Sequence, residues 1–86
     1  MRILTTIVIV DDEEEILTAL EQMLSGEGYV VKAFSSSKEA ESYLKTKTAD
    51  LAVFDIKMPE LDGFSLLKSV RVHRPSLPII FLSSKA

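Results

Sequence analysis

Cysteine is absent from the chain, which excludes disulfides, thiolate metal sites and cysteine nucleophiles. No apolar run approaches the ~20 residues that a membrane-spanning helix requires. The opening MRIL carries one charge and no small-residue cleavage pattern, so no signal peptide is expected and a cytoplasmic location is. Positive charge is not in excess either. Ten Lys and Arg against thirteen Asp and Glu leave a net charge of −3, which speaks against nucleic acid as a partner. Repeats, low-complexity tracts and linkers are all missing. The 86 residues therefore read as one domain, 1–86, with a modest core.

What is present is an alternation of strand-like and helix-like segments. Residues 3–10 are rich in β-branched side chains and predict a strand buried on both faces. Residues 13–25 place Ile16, Leu17, Leu20, Met23 and Leu24 at the spacing of one helical face, and Gly26 and Gly28 end that helix. A short strand at 29–34 follows. Ser35, Ser36 and Ser37 then offer capping hydroxyls to a helix over 38–45, with Ala40, Tyr43 and Leu44 inward. Residues 51–54 predict a third strand ending at Asp55. The stretch IKMPELDG leads to a helix expected to turn Phe64, Leu67 and Val70 to the core. RPSLP breaks that helix, and residues 79–82 make a fourth apolar strand. The order βαβαβαβ implies an α/β sandwich with a parallel sheet between helices, and its ligands belong at the carboxyl ends of the strands.

Those ends carry Asp11 and Asp12 after the first strand, Asp55 after the third, and Ser83 and Ser84 after the fourth. Carboxylates that converge on one small site repel unless a cation joins them, and a hard divalent ion with oxygen ligands, Mg²⁺ above all, fits. Asp12 and Asp55 as ligands, with Asp11 holding a metal-bound water, suit phosphoryl chemistry; the Ser83 hydroxyl can then donate to a phosphoryl oxygen. Taken singly the signals are weak. An Asp after a strand is usually a loop or capping residue, Asp62-Gly63 reads as a turn, and Met58-Pro59 stiffens a loop. His73, near a helix C-terminus, suits solvent or the helix dipole and is not assigned to the site. The joint placement at three strand ends is what carries weight.

IVIVDDEEEI, LAVFDIKMPELDGFSLLKSVR and PIIFLSS together resemble the receiver domain of bacterial two-component response regulators, across essentially the whole chain. The resemblance implies a flavodoxin-like fold with strand order 2-1-3-4 and Asp55 as the phosphoacceptor for a histidine kinase or phosphotransfer protein. It further implies Mg²⁺ held by Asp12, Asp55 and the backbone carbonyl of Lys57, with Asp11 acting through water. Ser83 matches the switch hydroxyl, and Pro59 and Gly63 would shape the loop after the nucleophile. Lys57 and Lys85 match positions that tune the lifetime of the aspartyl phosphate. Such a protein accepts phosphate on its own side chain and promotes its own dephosphorylation, rather than turning over a separate substrate.

The family's usual fourth helix, fifth strand and fifth helix, with their phosphoryl-contacting lysine and rotameric aromatic, find no counterpart in these residues. The fourth strand is then expected at a sheet edge, where it would pair with a second copy or a complementing chain. Two competing functions follow: an assembly module impaired in phosphorylation, and a Mg²⁺-dependent phosphohydrolase of the haloacid-dehalogenase type. The latter calls for D-x-D-x-T after its first strand, where this chain has DDEEE.

Overall fold

A computed structural model describes residues 4–83. Its elements are β1 (Thr6–Val10), α1 (Glu14–Gly26), β2 (Val30–Phe34), α2 (Ser37–Thr46), β3 (Leu51–Asp55), α3 (Gly63–His73) and β4 (Ile79–Leu82). The four strands form one parallel sheet in the order β2-β1-β3-β4, as the flavodoxin-like reading expects. At its start the sheet is latched by Asp50, whose carboxylate accepts from Thr6 N–H at 2.8 Å while its own N–H donates to the Thr6 carbonyl at 2.8 Å.

Alternation along the central strands divides the core in two. Val8 and Val10 of β1 and Ala52 and Phe54 of β3 face α2 and α3, where they pack with Ala40, Leu44, Leu66, Val70 and Leu77. Ile7 and Ile9 face the other way and meet Leu17, with Leu20 and Leu24 of α1 around them. Both faces of β1 are covered, which is why IVIV runs unbroken by polar residues. On the α1 side, Ile80 stands opposite Val53 in register and remains 52% exposed, at the β4 edge of the sheet.

The helix ends obey local chemistry. Glu13 is the N-cap of α1 without a side-chain hydrogen bond, and Glu14 and Glu15 fill the first turn, where the helix dipole favours negative charge. At the other end Glu27 and Gly28 donate to the Leu24 and Ser25 carbonyls at 3.1 and 3.0 Å. Gly28 has φ +94, a conformation that favours glycine. Of the three candidate serines, Ser36 caps α2, its hydroxyl accepting from Glu39 N–H at 3.2 Å. Asp62-Gly63 is not a free turn: Asp62 caps α3 by accepting from Ser65 N–H at 2.8 Å, and Gly63 is the first helical residue.

Two inward assignments are corrected. Met23 is exposed on α1. On α3 the buried residues are Gly63, Leu66 and Val70, whereas Phe64 is 51% exposed and rests against Phe81 with ring centroids 4.7 Å apart. With Asp62 as the cap, the start of α3 turns residue 66 rather than 64 toward the sheet, while Val70 lies inward as expected. Ile3, counted in the first strand from sequence, lies outside the described residues, as do Ser84 and Lys85. Leu66→Ala should therefore cost about 2–5 kcal/mol, measured by urea unfolding. Phe64→Ala should cost only about 1 kcal/mol, the worth of an aromatic pair near the surface.

Candidate functional site

The site follows from strand register. Val10 pairs with Phe54, so Asp11 and Asp55, the next residues of neighbouring strands, emerge side by side from the sheet. Each is held by the ladder it continues. Asp11 N–H donates to the Phe34 carbonyl at 3.1 Å, and Ile56 N–H, just past Asp55, donates to the Leu82 carbonyl at 3.1 Å. Asp55 pairs with Leu82, which sets Ser83 at the adjoining strand end, where it is exposed. Asp12 follows at the mouth of the β1–α1 loop, half-buried.

Carboxylate oxygens of Asp11, Asp12 and Asp55 lie within 4.8 Å of one another. Asp11 and Asp55 are 1% and 2% exposed. Asp11 Oδ1 accepts from Glu13 N–H at 2.8 Å, which orients the side chain, while its Oδ2 and the Oδ1 of Asp12 are buried without a hydrogen-bond donor. Buried carboxylate oxygens left in this state are costly. Burial holds the Asp11 carboxyl above its ordinary value of 3.8, and the charges of Asp55 and Asp12 push it further; the Glu13 N–H acts in the opposite sense. An oxygen-only cluster of this kind fits a hard divalent cation.

A cleft of about 450 Å³ opens beside the cluster, between Asp12 and the loop from β3 to α3 that carries Lys57, Met58 and Pro59. The loop is closed at its base, where Gly63 N–H donates to the Ile56 carbonyl at 2.8 Å. A Cβ at Gly63 would stand 2.5 Å from the Asp55 carbonyl oxygen, so only glycine permits this approach. Asp62 is spent on its own helix: the Ser65 N–H holds its carboxyl below the usual 3.8. The Lys57 side chain is exposed.

Sequence reasoning brought Asp11, Asp12, Asp55, Lys57 and Ser83 to one end of the sheet, and that is where the structure has them. It missed the contact between α2 and the loop. Ser37, read as one of three capping candidates, is buried and bonded to Pro59 and Leu61, and Ser36 donates to Glu60 Oε1 at 3.0 Å. Three successive serines were the only signal, and it did not distinguish a cap from a cross-link.

A doubly wound parallel sheet with three aspartates at the ends of its two central strands defines an acidic-pocket α/β domain. The family model described as the response regulator receiver domain matches residues 7–86, and the chain belongs to that family. Among relatives, the DNA-binding transcriptional regulator NtrC of Klebsiella pneumoniae is 41% identical over 76 residues, covering 88% of this chain and 16% of that protein. Regulatory protein VanRc of Enterococcus gallinarum is 38% identical over 79 residues, covering 92% of this chain and 34% of that protein. The chain thus spans between about a sixth and a third of these relatives.

Among solved structures, a CheY-like response regulator receiver domain protein from Methanospirillum hungatei superposes with a TM-score of 0.92 at 34% identity, covering 98% of this chain and 67% of that one. The response regulator protein TrrA from Thermotoga maritima, in complex with Mg(2+)-BeF, gives a TM-score of 0.89 at 29% identity, covering 96% and 72%. No helix among the described residues is long and apolar enough to cross a membrane.

The raised Asp11 value yields a signed pH prediction. Below the unfolded value of 3.8 both states are protonated and nothing is lost; as pH rises through the raised folded value, the buried anion destabilises the fold. Asp11→Asn keeps the acceptor for Glu13 N–H and removes the charge. Its stability gain over the parent, read by urea unfolding without divalent cations, should be near zero below pH 3.8 and reach a plateau at neutral pH.

Proposed function

We propose that the chain is a Mg²⁺-dependent phosphoacceptor within two-component phosphorelay signalling, the system to which its family belongs. The observation that carries this reading is the aspartate cluster. Three carboxylates at adjacent strand ends bring oxygens within 4.8 Å, two of them buried with no hydrogen-bond donor, beside an open cleft. Asp55 sits on rigid β3 and acts as the nucleophile. One of its carboxylate oxygens attacks the phosphorus of a phosphohistidine on a kinase or phosphotransfer protein. The P–N bond breaks, the imidazole leaves and takes up a proton, and Asp55 carries an acyl phosphate. Asp12, Asp55 and the Lys57 carbonyl would hold Mg²⁺, with Asp11 acting through water; when bound, the ion neutralises charge on the phosphoryl oxygens. The Ser83 hydroxyl, at the end of the strand beside Asp55, donates to a phosphoryl oxygen once one is present.

The chain on this reading modifies itself and hydrolyses its own acyl phosphate; it does not turn over a separate substrate. Lys57, two residues past Asp55 and exposed, and Lys85, two residues past Ser83, set how readily water reaches the phosphoryl group.

Incubation with acetyl phosphate and Mg²⁺ should produce a phosphoryl adduct by intact mass. The adduct should vanish in Asp55→Asn and in excess chelator. Continuous phosphate release from phosphoesters without an adduct would instead indicate a hydrolase. Mg²⁺ at about a hundred times its Kd should stabilise the parent by about 2.7 kcal/mol, an effect lost in Asp12→Asn. The adduct's half-life should change in Lys57→Ala and Lys85→Ala; equal half-lives would remove the lysines from the mechanism.

A further inference from the structure

We infer that Ser37, at the start of α2, is a positioning residue for the acidic pocket: its hydroxyl holds the loop from β3 to α3 in the shape on which the Lys57 carbonyl depends to serve as a metal ligand. This rests on the phosphoacceptor reading above.

Ser37 is 2% exposed, and its hydroxyl is used at both ends by one loop. It donates to the Pro59 carbonyl at 3.2 Å and accepts from Leu61 N–H at 3.1 Å. The residue between these two anchors, Glu60, has φ 68, a left-handed conformation that side-chain-bearing residues adopt uncommonly. Its carboxylate accepts from Ser36 Oγ at 3.0 Å. A strained residue thus lies between two backbone groups gripped by a single buried hydroxyl, and strain of this kind persists only where the surroundings enforce it.

α2 itself has no need of the Ser37 hydroxyl. Its cap is Ser36, which accepts from Glu39 N–H at 3.2 Å. What Ser37 serves is the loop. Lys57, Met58 and Pro59 line the cleft with Asp12, and this short stretch is suspended between two fixed points. One is Ile56, whose carbonyl accepts from Gly63 N–H at 2.8 Å; the other is Pro59, tied to Ser37. Without the hydroxyl, one end of the suspension is released and the Pro59 carbonyl and Leu61 N–H lose their buried partner. Groups that orient metal ligands from behind contribute to affinity without touching the ion, and here the group acts through backbone.

Mg²⁺ titration calorimetry on the parent, Ser37→Ala and Ser69→Ala tests the inference, together with amide hydrogen exchange of Leu61 in the metal-free proteins. Ser69 donates to Glu41 across the α2–α3 contact, away from the loop, so its loss loosens the helix pair and leaves the Ser37 bonds in place. Ser37→Ala should weaken Mg²⁺ binding by about tenfold, the lower end for groups that orient ligands, and should accelerate exchange at Leu61. Ser69→Ala should leave both unchanged. Parental Mg²⁺ affinity in Ser37→Ala, or an equal loss in both variants, would overturn the positioning role while leaving the phosphoacceptor reading intact. A parent that binds no Mg²⁺ would bring down that reading, and this inference with it.

Discussion

The pairing of Val10 with Phe54 is the constraint on which the rest of the structure depends. Two parallel strands in that register deliver Asp11 and Asp55 to the same edge of the sheet, and the β1–α1 loop adds Asp12. Like charges at this separation oppose folding, so the segments that carry them must be held by something stronger. The central strands provide it. Val8, Val10, Ala52 and Phe54 are sealed beneath α2 and α3, and Ile7 and Ile9 beneath α1. A close-packed core of this kind does not yield to relieve a few unfavourable contacts at its rim.

The wall opposite the aspartates is built differently, from irregular backbone made rigid by single residues. Gly63 permits an approach to Asp55 that a side chain would block, Asp62 starts α3, and Ser37 grips the crest of the loop from a neighbouring helix. The pocket is thus a rigid strand edge facing a tethered loop. On the phosphoacceptor reading proposed above, that division has a use: the nucleophile is held still, whereas the surface that receives a partner and a phosphoryl group is shaped around it.

Much of this was legible in the chain. Unbroken apolar runs ending in Asp11 and Asp55 marked buried parallel strands with carboxylates at their exits, and DIKMPELDG is specific enough to bring the family into view. Element order needed only the alternation of periods. Legibility failed where two residues had equal claims to one role. Phe64 and Leu66 are both apolar at the start of α3, and only packing against α2 and the sheet makes Leu66 the buried one. Likewise Ser35, Ser36 and Ser37 are all capable caps, and hydrogen-bond geometry alone separates the cap, Ser36, from the cross-link, Ser37.

By itself, then, the sequence determined the strands, the helices and the acidic ends of the strands, because hydrophobic period and the cost of burying charge are written residue by residue. Tertiary structure alone decided that carboxylate oxygens from residues 11, 12 and 55 come within 4.8 Å of each other, and that Ser37, far from Asp55 along the chain, bonds to the loop after it. Those contacts bridge segments distant along the chain, and their distances are set by strand register and helix packing rather than by any local preference of the backbone.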